Sequence, residues 1–188
     1  MAGDGAPLIF VGLHNDHFYF DDFPHDEVDA DVFEFSQMSK TLIRCPDDKF
    51  LILNEVKEFD LKDLNIQQQS CSDYKLAIRV YRDLSVRPVR GRVVMLYALK
   101  GDRKYAAVCK NENEVTAEEV HELQGRIEAA QHKALFYMIL EHRPNRYKLR
   151  STLYPDKALG FDQTDSNKLV LCPYDDPENQ SNLFTLIK

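Results

Sequence analysis

Leu76-Ala77-Ile78-Arg79-Val80-Tyr81 and Leu183-Phe184-Thr185-Leu186-Ile187 decide the fold. In the first, Leu76, Ile78 and Val80 alternate with Ala77, Arg79 and Tyr81. In the second, Leu183, Thr185 and Ile187 alternate with Phe184 and Leu186. A period of two puts each set on one face of an extended chain, the mark of a strand with one face buried. Outward from these, the spacing predicts further short strands at Thr41–Cys45, Phe50–Val56, Leu61–Ile66, Arg92–Leu99 and Tyr105–Lys110. Beyond residue 130 it predicts Leu135–Glu141, Tyr147–Thr152, Ala158–Phe161 and Leu169–Cys172. Turn chemistry separates them: Cys45-Pro46-Asp47-Asp48, Lys100-Gly101-Asp102, Arg143-Pro144-Asn145 and Asp162-Gln163-Thr164-Asp165-Ser166-Asn167. Roughly a dozen short strands joined by turns read as an all-β barrel or sandwich of successive hairpins.

One segment breaks that rhythm. Thr116-Ala117-Glu118-Glu119 matches a capping box, and Val120, Leu123, Ile127 and Ala130 follow at helical spacing. The pattern predicts a short helical insertion over 116–131, although Gly125 weakens its interior by about 1 kcal/mol relative to alanine.

The 188 residues suit one domain with a short appendage, and 44% apolar with 29% charged is a globular composition. The net charge of −7 is unevenly placed. Residues 1–31 hold eight acidic side chains (Asp4, Asp16, Asp21, Asp22, Asp26, Glu27, Asp29, Asp31) and no Lys or Arg, which leaves residues 32–188 at +1. The chain therefore divides into an acidic arm, 1–31, and a nearly neutral body, 32–188. A body at +1 lacks the basic surface that phosphate attraction requires, so nucleic acid is not an expected partner. No apolar run reaches the roughly 18 residues of a membrane span. The patch Pro7–Leu13 follows Asp4 where a signal peptide carries a cation, so no conventional secretion signal is expected.

Chemistry for catalysis is sparse, and no enzymatic activity is expected. The chain has seven glycines and lacks a phosphate-cradling loop, a G-x-S-x-G elbow and an H-E-x-x-H pair. A dyad of Cys109 with His121 or His132 is arithmetically available but has no local signature. His14, Asp16 and His17 are too irregularly spaced for a metal site, and Asp162-x-x-Asp165-x-Asn167 lacks the Gly and Glu of a calcium loop. The four cysteines (Cys45, Cys71, Cys109, Cys172) form no C-x-x-C pair and read as core or half-buried thiols. No cofactor and no metal are expected.

Two charged features stand out. Arg87-Pro88-Val89-Arg90-Gly91-Arg92 packs three guanidinium groups into a loop suited to an acidic surface, either the arm or another protein. Asp26-Glu27-Val28-Asp29-Ala30-Asp31 reads as a caspase substrate. A caspase needs Asp before the scissile bond and an extended, unpaired segment to lay along its own sheet edge. Both Asp29 and Asp31 satisfy the first need at the junction of arm and body, where exposed backbone permits a cut. In the arm, Phe18, Tyr19 and Phe20 are aromatic enough to dock on the body while the carboxylates stay wet.

An acidic leaderless arm, an Asp-terminated junction and a strand-rich body together resemble the precursors of the interleukin-1 family of cytokines, the interleukin-18-like branch most closely. Phe18-Tyr19-Phe20, Leu42-Ile43-Arg44, Phe50-Leu51-Ile52, Leu61-Lys62-Asp63-Leu64, Tyr81-Arg82-Asp83, Cys109-Lys110-Asn111-Glu112, Arg150-Ser151-Thr152 and Lys168-Leu169-Val170-Leu171 carry the likeness. It implies a β-trefoil of twelve strands, six in a short barrel and six in a hairpin cap. It also implies a cytoplasmic precursor, cut after Asp31 by an inflammatory caspase to leave Val32-Phe33 first and then secreted by an unconventional route. The freed, monomeric trefoil would bind a cell-surface immunoglobulin-like receptor and recruit an accessory chain. The family's receptor contacts fall on Arg44, Asp48, Arg90 and Asp165. The Val86–Val89 stretch is longer than the family pattern, which leaves open which loop arginine is equivalent. The alternatives are an interleukin-1-beta-like member with another receptor pair, since fold does not fix partner, and a glycan-binding trefoil growth factor.

Overall fold

The computed structural model of the chain describes residues 9–14, 17–21, 32–45, 48–84, 91–128, 131–141, 145–162, 167–176 and 180–187. In the arm, β1 (Ile9–His14) and β2 (His17–Asp21) form a two-stranded antiparallel sheet of their own. In the body, β3 (Val32–Arg44), β6 (Leu76–Asp83), β7 (Arg92–Lys100), β11 (Phe136–Leu140), β12 (Arg146–Ser151) and β15 (Phe184–Ile187) pair in that order. β15 then returns to β3 and closes the ring, with Leu186 opposite Ile43 and Tyr147 opposite Phe184.

Three hairpins cover one end of this six-stranded barrel. They are β4–β5 (Phe50–Leu53, Phe59–Lys62), β8–β9 (Arg103–Cys109, Val115–Glu119) and β13–β14 (Lys157–Phe161, Leu169–Pro173). Barrel strand, hairpin, barrel strand recurs three times along the chain, and this is the pseudo-threefold β-trefoil the sequence pointed to. The thirteenth body strand, β10 (Arg126–Glu128), lies outside that repeat and pairs with the start of β3.

The alternating stretches fall where their period places them. Leu76, Ile78 and Val80 enter the barrel core beside Ile43, Val94, Leu96, Phe136, Leu149 and Phe184. The opposite face of β6 and β7 packs Ala77, Tyr81, Val93, Met95 and Tyr97 under Phe33, Ile127 and Leu135 as a second cluster. Strands buried on both faces carry long apolar runs, as 93–98 does. The Lys100-Gly101-Asp102 signal is a tight hairpin, Lys100 opposite Arg103, with Gly101 at φ +59 where a side chain would be strained.

The helix expected over 116–131 does not form. Val115–Glu119 is a strand whose every residue faces one of Tyr105–Cys109, and Arg126–Glu128 is another strand. A capping box contributes about 1 kcal/mol, less than a full cross-strand ladder that also seats Val115 and Ala117 against the core. The two glutamates of the apparent box pair across the sheet instead, Glu118 with Lys133 and Glu119 with Arg103. The described helix is α1 (Ile66–Ser70), and it has the reciprocal box: Asn65 Oδ1 accepts from Gln68 N–H while Gln68 Oε1 accepts from Asn65 N–H. It begins where the strand drawn over Leu61–Ile66 was expected to end; that strand is Phe59–Lys62.

Gly160 sits in β13 where an added Cβ would stand 2.7 Å from the buried Cys172 Sγ and 3.2 Å from Ser181 Oγ. Overpacking at such a site costs about 1–3 kcal/mol. Gly160→Ala is therefore expected to lower the urea midpoint by that amount of stability with the m-value unchanged; an unshifted midpoint would mean the β13–β14 hairpin yields freely.

Candidate functional site

The barrel brings some of the expected contact residues together and holds another apart. Arg44 ends β3 between two neighbours, Thr185 of β15 and Phe50 of β4. The chain then turns, with Cys45 N–H donating to Lys49 O at 2.8 Å, and Asp48 takes the left-handed conformation at φ 58. This returns the Asp48 carboxylate to 3.5 Å from the Arg44 guanidinium, both side chains largely in solvent. An exposed pair of this kind is worth about 0–1 kcal/mol, so it presents charge more than it stabilises the turn.

The same turn reaches the β13–β14 loop. Lys49 Nζ donates to Asn167 Oδ1 at 3.5 Å, and Asp162 N–H closes that loop on Lys168 O at 3.2 Å. Lys168 also bridges to Asp60 and faces Glu58 at 3.8 Å. Asp165 itself lies outside the described residues, but the loop that carries it is anchored beside the first hairpin, as expected. Lys49 is the residue sequence reading missed, and nothing in its local pattern separates it from other surface lysines.

Arg90 and Arg87 also lie outside the described residues. Their loop leaves the barrel at Leu84 and re-enters at Gly91, whose absent side chain leaves room for Met138 O, 3.0 Å from where a Cβ would stand. Leu84 N–H donates to Val32 O at 2.9 Å, so this loop emerges at the first residue of β3. Arg44 is the last. At about 3.3 Å per residue the two sites are roughly 40 Å apart along one strand. Arg44 and Asp48 thus lie at the hairpin-capped end, and Leu84 and Gly91, which flank the arginine loop, lie at the open end.

Asp29 and Asp31 lie outside the described residues, as do the side chains of Phe18, Tyr19 and Phe20. The register of the arm hairpin sets Phe20 opposite Phe10 and Phe18 opposite Leu13.

The thiols and imidazoles are otherwise engaged. All four cysteines are free, and Cys45, Cys109 and Cys172 are buried. Cys109 Sγ meets Ser151 Oγ at 3.6 Å, and burial pushes its thiol up, opposite to what a nucleophile needs. His132 Nδ1 accepts from Ala134 N–H at 3.1 Å, so its ring serves a turn. Among the described residues no three His, Cys, Asp or Glu side chains converge as metal ligands. No described helix is long and apolar enough to cross a membrane.

Comparison with protein-family models and with curated protein sequences finds no match. Solved structures do match. A point variant of chicken interleukin-1 beta superposes with a TM-score of 0.59 at 15% sequence identity, covering 83% of this chain and 99% of that one. A hydrophobic-cavity variant of chicken interleukin-1 gives a TM-score of 0.59 at 14% identity with the same coverage. The chain has the interleukin-1 type of β-trefoil.

Burial, with Lys133 adding to it, holds the His132 imidazole below the ordinary histidine range. The unfolded chain then binds the proton first. Its stabilising contribution is complete above the unfolded value of about 6.5 and is lost as pH falls below it. Denaturant midpoints taken between about pH 7.5 and 5 should fall more steeply for the native chain than for His132→Asn, which keeps an acceptor for Ala134. Parallel profiles would show that the ring's protonation is not felt.

Proposed function

We propose that the chain is an interleukin-18-like cytokine precursor: 1–31 is a pro-segment, 32–188 the cytokine body, and an inflammatory caspase cuts at their junction, after Asp29 or Asp31. The precursor is cytoplasmic, and the freed trefoil leaves the cell by an unconventional route. It then acts by surface recognition, binding an immunoglobulin-like receptor and recruiting an accessory chain. The likeness to chicken interleukin-1 supports the fold part of this reading; the acidic arm and its Asp-rich junction support the rest.

The observation that carries the reading is where the barrel begins. Val32 is paired with Glu128 of β10 and accepts from Leu84 N–H, while β1 and β2 belong to a separate sheet. Removing 1–31 therefore takes no strand from the barrel. The charge division coincides with this boundary, eight carboxylates before it and a body at +1 after it. Arg44 with Asp48 at one end of the barrel, and the arginine loop at the other, offer two separated surfaces, which suits a ligand that gathers two receptor chains. Fold alone does not choose the receptor pair.

The boundary also distinguishes the two scissile bonds. A protease groove needs several residues on both sides of the bond free of pairing. After Asp31 the next residues are Val32, held in the sheet, and Phe33, fully buried. After Asp29 they are Ala30 and Asp31, which precede Val32 in the chain. Incubation with an inflammatory caspase and sequencing of the new N-terminus should give Ala30 first. Asp29→Ala should slow release of the arm at least about tenfold, a loss of about 1.4 kcal/mol in transition-state binding, and Asp31→Ala much less. A product beginning only at Val32 would contradict this order, and an uncut chain would contradict the precursor reading.

On the trimmed chain, Arg44→Glu and Asp48→Lys each invert an exposed charge without touching the core. If that turn is a receptor contact, each should weaken receptor binding by about tenfold or more with the melting temperature unchanged. Unchanged binding for both would remove this turn from the contact surface.

A further inference from the structure

Leu64 and Tyr74 both pack on the small cluster of Leu42, Phe50 and Ile52. Between these anchors the chain leaves the body for Asn65–Asp73, and none of those residues is buried. α1 makes the first half of this loop and buries no side chain. Among the described residues, every hydrogen bond of 65–73 ends within 64–75. They include the reciprocal box of Asn65 and Gln68, Gln69 N–H to Asn65 O, Cys71 N–H to Gln68 O and Ser70 Oγ to Ile66 O. A single helical turn held by local bonds is marginal on its own, so this loop opens without disturbing the barrel.

Three consecutive glutamines sit on that turn, and they are not equivalent. Gln68 Oε1 accepts from Asn65 N–H at 3.0 Å, and its Nε2 donates to Tyr74 Oη at 3.4 Å. Gln69 Nε2 donates to Leu64 O at 2.9 Å. Gln67 is exposed, and its carboxamide has no partner among the described residues. Beside it Ile66 is 84% exposed. An apolar side chain held in water next to a free carboxamide gives an enzyme groove a foothold beside the reacting group.

We infer that Gln67 is an acyl-donor site for a transglutaminase, with a primary amine, the lysine side chain of another protein, as second substrate. The enzyme's cysteine thiolate attacks Gln67 Cδ. The Cδ–Nε2 bond breaks, the nitrogen takes up a proton and leaves as ammonia, and a thioester remains. The amine then attacks the thioester and gives up a proton. A new amide bond forms at Cδ and the thiolate is released, with no oxidant or reductant consumed.

Three other glutamines are exposed among the described residues, and the fold holds each of them. Gln37 lies in the β3–β6 ladder opposite Val80. Gln124 O accepts from Arg79 and Tyr81 at 3.3 and 3.1 Å. Gln131 precedes a stretch tied down by His132 N–H to Thr152 Oγ1 at 3.1 Å and by Cys109 N–H to Lys133 O at 2.8 Å. Drawing any of these into an enzyme groove breaks contacts with other elements, which opening α1 does not. The inference goes beyond the cytokine reading and does not rest on it; it concerns covalent attachment of the chain to lysine-bearing proteins.

Incubation of the full chain with active transglutaminase and a biotinylated primary amine, followed by peptide mapping, tests it. The label should fall on Gln67. Gln67→Asn keeps the carboxamide but draws it back by one methylene, and should slow labelling about 100-fold. Gln68→Ala and Gln69→Ala loosen the turn and should be labelled at Gln67 at least as fast as the native chain. No label, label confined to other glutamines, undiminished labelling of Gln67→Asn, or slower labelling of the loosened chains would each overturn the inference. Loss of caspase cleavage or of receptor binding would instead bear on the proposed function and leave this labelling unaffected.

Discussion

Four residues of β15 hold the barrel shut. Leu186 and Phe184 bring the last strand of the chain against Ile43 of the first barrel strand and Tyr147 of β12, and without that pairing the ring is an open sheet. The closure joins residues more than 140 apart in sequence, so its entropic cost falls on the folding of the whole body rather than on any local element. It is repaid by a core in which Ile43, Leu76, Leu96, Phe136, Leu159 and Phe184 are nearly free of solvent, each such side chain contributing about 1.5–3 kcal/mol. The three hairpins and the contact turn at Arg44 inherit their positions from that ring.

The ring also explains how the chain can carry a removable arm. Every described barrel strand lies at or after Val32, and the described arm strands β1 and β2 pair with each other. The two ends of the ring carry separate features: Arg44, Asp48 and Lys49 at the capped end, and Leu84 and Gly91, which flank the arginine loop, at the other.

Much of this was legible in the sequence. Period-two alternation at Leu76–Tyr81, the Gly101 turn and the loops around Asp48 and Asn167 are local signals, and most expected strands fall close to their places, but the strand expected over Thr41–Cys45 begins nine residues earlier, at Val32. The helix over 116–131 was misread because Thr116–Glu119 satisfies a local capping rule, while the ladder from Tyr105–Cys109 that overrides it is visible only once the chain folds. α1 carries the same signature at Asn65–Gln68, where no competing strand claims the backbone. The contact residues were separable only in part. Arg44, Asp48 and the loop of Asp165 meet through Lys49 and Asn167, a long-range approach with no sequence mark.

The proposal stands on 1–31 as a pro-segment whose removal activates the trefoil. Its most direct measurement is receptor-dependent signalling by matched amounts of the full chain and of the chain trimmed at the junction. The account predicts silence from the first and a dose-dependent response from the second. Equal responses from both would contradict it.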